Sequence, residues 1–201
     1  MLIDLSIKDF AKAVASHEPV VPAGGSVMAL SGLMGVCLLQ MSVDSAYSRP
    51  VSEEHEAFFK IAKKQLAQLH SELLTYIERD TEAYGGVLTA YKLKKSTLAE
   101  AEYRETEIQS AALSAIEIPL KIIEACLSAL EPGLVLLPKV KHAVLGDLKI
   151  GLLVIKAGIE GSLAAATMNL PLLNEAKIVD EFQVRINELQ TKFDTLMANL
   201  R

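Results

Sequence analysis

Apolar residues recur every three to four positions along most of the chain, and this spacing predicts helices. Leu5, Phe10, Ala13 and Val14 share one face of a short first helix, with Ser6 or Asp4 as its N-cap. Pro19 and Pro22 bound a loop, and a nearly uncharged segment then runs to about Tyr47. Pro50 breaks the chain, and Ser52 with its following acids starts a third helix, Glu53 to about Leu93. Phe58, Ile61, Leu66, Leu69, Leu73, Ile77 and Tyr84 carry its apolar stripe. Gly85 and Gly86 inside it predict a bend or a close contact. Thr97 with Glu100 three residues on has capping-box spacing and opens a fourth helix towards Leu130, kinked at Pro119. "LEPGL" reads as a turn. Helices follow from about Leu134 to Val144, from about Asp147 to Leu170 ahead of Pro171, and from Asn174 to Leu200. No stretch alternates with strand period. The expected architecture is an all-α single domain over residues 1–201, a mostly up-and-down bundle of about six or seven long helices. Its most apolar faces predict a homodimer.

The segment "VPAGGSVMALSGLMGVCLLQMSVD" departs from the amphipathic pattern, with no charge from Pro19 to Ser42. Its length suits a membrane span. Pro22, the glycine pair, Ser26, Ser31 and Gln40 interrupt it, and no aromatic anchor starts it, so a helix enclosed by other helices is expected instead. It lacks the lysine of a P-loop and the preceding strand of a dinucleotide fingerprint. Gly24, Gly25 and Ser26 stand at a helix start, where unpaired N–H groups can meet an anionic or carbonyl-like ligand. A plain turn with Ser26 as N-cap fits the same residues.

The 201 residues are 51% hydrophobic and 22% charged, a globular composition large enough for one sizeable core. The net charge of -5 and the absence of a basic stripe argue against nucleic acid and anionic membranes as partners. Cys37 and Cys126 lie in apolar helical sequence without paired spacing, as reduced thiols of a cytoplasmic protein would. "MLIDLSIKDF" lacks an export pattern. The four histidines show no metal-ligand spacing, so no metal is expected.

Four stretches together resemble one family. "PAGGSVMALSGLMG" is similar to the glycine-rich signature of the formiminotransferase-cyclodeaminase-like proteins. "IERDTEAYGGVLTAYKLKKST", "YRETEIQSAALSAIEIPL" and "GDLKIGLLVIKAGIEGSLAAATMNL" resemble its later segments, in order, over most of residues 5–170. The resemblance implies an all-helical dimer with a folate site in a cleft, and no cofactor beyond the tetrahydrofolate substrate. By position it implies substrate-binding roles for Gly24, Gly25, Ser26, Lys95 and Arg104. It implies catalytic roles for Asp80 and Asp147, which would orient water or ammonia and move protons. Ala23 replaces a family glycine, Gly146 a serine and Ala165 an asparagine, and a Gly-Asn pair before Asp147 is absent.

The implied activity is methenyltetrahydrofolate cyclohydrolase, favoured because the chain leaves no room for a formiminotransferase domain. Formimidoyltetrahydrofolate cyclodeaminase is the alternative within the family. A member that keeps the bundle and dimer without catalysis is the alternative of another class. Taken as residues alone, Asp80 reads as a solvated helix residue and Asp147 as an N-cap. Arg104 reads as a surface partner of Glu100 or Glu107, and Lys95 as solvated.

Overall fold

The structure, a computed structural model, describes residues 1–18, 22–47 and 53–198. Six α-helices follow a 3-10 turn at Leu2–Asp4: α1 Ile7–Ala15, α2 Gly24–Tyr47, α3 Glu53–Tyr91, α4 Leu98–Leu136, α5 His142–Asn169 and α6 Ala176–Ala198. A second 3-10 turn, Leu170–Leu172, carries Pro171 just past the end of α5. No strand occurs among the described residues. The expected breaks at Pro19 and Pro50 and the start at Ser52 fall outside them.

Four helices close the core. α2 packs on α3 and α5, and α4 packs on α3 and α5. Leu33, Leu39, Leu66, Leu73, Ile116, Leu127, Ile155 and Ile159 are among the side chains buried between them. Small residues let α2 and α5 cross closely: a Cβ on Gly35 would meet the Gly151 carbonyl oxygen at 2.7 Å. α6 lies outside, burying Ile186 and Phe193. Arg185 fastens it to α4, donating to both Glu117 oxygens at 2.6 and 3.1 Å and to Glu124 Oε1 at 2.7 Å. These charges are about a third to a half exposed, so the cluster contributes on the order of 1 kcal/mol and mainly fixes register. α1 buries no residue at all.

Local signals hold where the chain itself supplies the partners. Ser6 caps α1, its Oγ accepting from Asp9 N at 3.1 Å. Thr97 and Glu100 form the expected capping box. At Gly85 a Cβ would meet nothing within 4 Å, and at Gly86 only Ala111 Cβ at 3.7 Å, so no close contact requires them.

Two expectations about helix ends are corrected. "LEPGL" is not a turn, because α4 runs through both Pro119 and Pro132 to Leu136. A proline deprives the carbonyl four residues earlier of its donor. For Pro132 that carbonyl is Ser128, and Gln65 of α3 supplies the missing bond, Nε2 to O at 2.9 Å. The two helices expected from Leu134 to Val144 and from Asp147 to Leu170 are instead the end of α4 and a single α5. Gly146 and Asp147 therefore lie inside α5, and the N-cap position is Lys141.

α2 is half enclosed. Gly24–Ala46, with mean hydropathy 1.7, and His142–Leu172, with 1.5, are both long and apolar enough to cross a membrane. About half of each such segment is buried within this fold. The rest of α2 and α5 leaves Met34, Met41, Ile150, Leu153 and Met168 open to solvent.

Candidate functional site

The first turn of α2 leaves N–H groups without intrahelical acceptors, since the earliest helical bond there runs from Val27 N to the Ala23 carbonyl. Asp80, from the middle of α3, comes to this turn, and only 9% of the residue is exposed. Its Oδ2 accepts from the Ser26 hydroxyl at 3.0 Å. Its Oδ1 lies over Gly25 so closely that an added Cβ would collide with it. A buried carboxylate thus sits at the positive end of a 24-residue helix.

Proton counting gives this cluster a direction. Ser26 Oγ also lies 2.9 Å from Thr81 Oγ1. An ionised carboxylate only accepts, so the single Ser26 proton goes to Asp80 and Thr81 donates to Ser26. Thr81 is built for this. Thr75, Thr89, Thr106, Thr167, Thr191 and Thr195 each donate to the carbonyl four residues back, whereas the bond recorded for Thr81 crosses to α2. With Oδ2 holding the Ser26 hydroxyl, a proton on Oδ1 leaves the Ser26–Thr81 pair undisturbed. Burial pushes the Asp80 carboxyl above the ordinary aspartate value, and the Ser26 hydroxyl and nearby Ser26 N–H offset part of that rise. A carboxyl raised in this way takes up and returns a proton more readily than an ordinary aspartate at the same pH.

Asp80 opens onto a cleft of about 200 Å³. Ala23, Gly24 and Gly25 form one wall, Asp80 and Tyr84 another, Ala115 a third, and Ala165, Met168 and Asn169 the last. Four helices meet there, with small residues leaving room for a flat ligand. A wider groove of about 720 Å³ beside α6 carries only solvated Glu188 and Lys192 as charged groups and holds neither in a dry setting.

The structure thus brings together Gly24, Gly25, Ser26 and Asp80, and places the other three candidates elsewhere. Asp147 is half-exposed, 22 residues before Asn169 on α5, so about 33 Å from the cleft along the helix. Arg104 lies 11 residues before Ala115 on α4, about 16 Å away along that axis. It does not pair with Glu100, whose Oε2 accepts from Ser96 N and Thr97 N. Arg104 instead donates to the Tyr91 carbonyl at 3.3 and 3.4 Å and stacks over the Tyr91 ring. Lys95 is exposed in the neighbouring turn. Sequence reasoning missed Thr81, Tyr84, Ala115 and Asn169, whose positions at the cleft depend on contacts from other helices.

The thiols are separate from this site. Cys126 is fully buried and its thiol is pushed up to about 12. Cys37 is half-buried, its Sγ 3.6 Å from His70 Nδ1, and burial raises it too. Among the described residues, no group of three His, Cys, Asp or Glu side chains is placed to hold a metal ion.

Comparison with known proteins identifies the family and the fold. The family model described as formiminotransferase-cyclodeaminase matches residues 6–188. A methenyltetrahydrofolate cyclohydrolase from Methylorubrum extorquens is 28% identical over 92% of this chain and 87% of its own length. The formimidoyltransferase-cyclodeaminase of Gallus gallus is 24% identical over 94% of this chain, which spans 35% of that longer protein. The crystal structure of a formiminotetrahydrofolate cyclodeaminase from Thermotoga maritima superposes with a TM-score of 0.84 at 18% identity. That match covers 99% of this chain and 95% of the other, and it shows a shared fold.

Proposed function

The chain belongs to the formiminotransferase-cyclodeaminase family, and we propose that it hydrolyses the methenyl bridge of 5,10-methenyltetrahydrofolate to give 10-formyltetrahydrofolate. The observation that carries this is Asp80, buried at the α2 N-terminus and lining the cleft. The near full-length match to a cyclohydrolase supports it.

The chemistry follows from that placement. The bridge carbon between N5 and N10 is cationic, and a negative charge in a water-poor cleft favours its approach. Water adds to this carbon while Asp80 Oδ1 takes one of its protons. The C–N5 bond then breaks, its electron pair stays on N5, and Asp80 returns the proton there. The carbinol oxygen releases its own proton to solvent as the formyl C=O forms. The first-turn N–H groups of α2 can hold an oxygen of the ligand. Lys95 and Arg104, about 16 Å or more along the α3–α4 hairpin, lie within reach of a carboxylate on an extended tail. Within one chain Asp147 lies outside this cleft, and Asp80 is the carboxylate that lines it.

Purified protein is expected to accelerate loss of the methenyl absorbance well above the buffer rate. No acceleration would overturn the reading. Release of ammonia from formiminotetrahydrofolate would instead favour cyclodeaminase, the second reading, which the Gallus gallus match supports.

We further expect a cytoplasmic homodimer that covers the open apolar stripe of α2 and α5. Met34, Met41, Ile150 and Leu153 would lie inside the contact. Sedimentation analysis should give twice the chain mass, and Met34→Glu combined with Leu153→Glu should give the monomer. A wild-type monomer at assay concentration would refute this.

A further inference from the structure

Pro119 has no backbone N–H, so the Ala115 carbonyl loses its helical donor. Asn169, the last residue of α5, replaces that donor: its Nδ2 donates to the Ala115 oxygen at 2.8 Å. Pro132 creates the same gap at Ser128, filled by Gln65 away from the cleft. The first pair is different, because Ala115 and Asn169 both line the cleft beside Asp80 and Gly25.

The bond fixes which way the Asn169 amide faces. Flipping it would set two oxygens against each other, so Nδ2 stays on Ala115 and Oδ1 is left as its remaining acceptor. No donor among the described residues is recorded at Oδ1. The cleft is therefore lined by the start of α2, by Asp80, and by an Asn169 amide whose Oδ1 has no donor among the described residues.

We propose that Asn169 is a substrate-binding residue. Its Oδ1, locked by the carbonyl that Pro119 frees, accepts a hydrogen bond from an N–H of the substrate's reduced heterocycle. The inference rests on the folate reading above and adds to it the residue that orients the ring. The proline inside α4 is then part of the site without touching the ligand. It converts a main-chain carbonyl into the clamp that holds the amide.

Four proteins test this: wild type, Asn169→Ala, Pro119→Ala, and the double variant. Asn169→Ala alone removes both the proposed substrate contact and the donor to Ala115. The Pro119→Ala substitution restores a backbone N–H for Ala115, so in that background Asn169→Ala removes only the substrate contact. The expected loss in melting temperature on removing Asn169 is therefore clearly smaller in the Pro119→Ala background than in the wild type. Affinity for a stable formyltetrahydrofolate, read by calorimetry, should fall about tenfold on removing Asn169 in either background, as one neutral hydrogen bond predicts. KM for the methenyl substrate should rise in step, with kcat changed less. If the double variant binds as tightly as Pro119→Ala, Asn169 is structural and the proposal fails while the folate reading stands. If the wild type binds no folate, both fall. Equal losses in melting temperature in the two backgrounds would overturn the clamp.

Discussion

Asp80→Asn is expected to slow methenyl-bridge hydrolysis by about 10²- to 10⁴-fold, the usual contribution of a positioned acid–base group, while making the protein more stable at neutral pH. The substitution keeps the shape and an oxygen for Ser26, so the rate loss would report proton transfer and not collapse of the cleft. The stability gain follows from burial. The folded carboxyl lies above the ordinary aspartate value of 3.8, because desolvation outweighs the Ser26 contacts. Below that ordinary value the group is protonated in both folded and unfolded chains, and its contribution to stability is fully present. As pH rises through the folded value the buried group must ionise, and that contribution is lost. The advantage of Asp80→Asn should therefore be small near pH 3 and grow towards neutrality, as urea unfolding of both proteins across pH would show. An activity within threefold of wild type would remove Asp80 from the mechanism. An advantage that shrinks as pH rises would contradict the burial account.

Gly25→Ala should be the most damaging single-methyl change in the site. The added carbon would overlap Asp80 Oδ1 and Cγ, so the carboxylate must swing away. That breaks the bond from Ser26 and withdraws the charge from the α2 N-terminus. A hydrogen bond to a charged group is worth about 1.5–3 kcal/mol, so a loss of about 2–4 kcal/mol is expected, with activity falling alongside. Gly24→Ala is the comparison, since a Cβ there meets nothing within 4 Å. Its stability should match wild type within about 0.5 kcal/mol, or exceed it slightly through helix propensity. Combining Gly25→Ala with Asp80→Ala should recover much of the lost stability, because the overlapping atoms are gone. Failure of that rescue would mean the glycine is needed for some other contact.

The proposed catalytic group was legible in part. Asp80 stands in "YIERDTEAY", and on helix pattern alone it reads as a solvated charge. Its resemblance to a family position singled it out, and the structure shows it buried with Ser26 and Thr81. Asp147 and Arg104 carried similar sequence signals yet stand about 33 and 16 Å along their helices from the cleft. A motif gives a residue's place on its own helix. It does not give the rotation and offset of that helix against the others.

The sequence by itself determined the helices, their apolar faces, the Ser6 and Thr97 caps, and the glycine pair that begins α2. These are local properties, governed by contacts three or four residues apart and by the backbone freedom of single residues. Only the tertiary structure decided that α4 continues through Pro132, that Asp80 caps α2, and that Asn169 takes the carbonyl freed by Pro119. In each case the bonding partner lies 54 to 63 residues away. A proline's missing donor or a helix's unpaired N–H is visible in the chain as an unmet need. Which distant side chain meets it depends on how the helices pack.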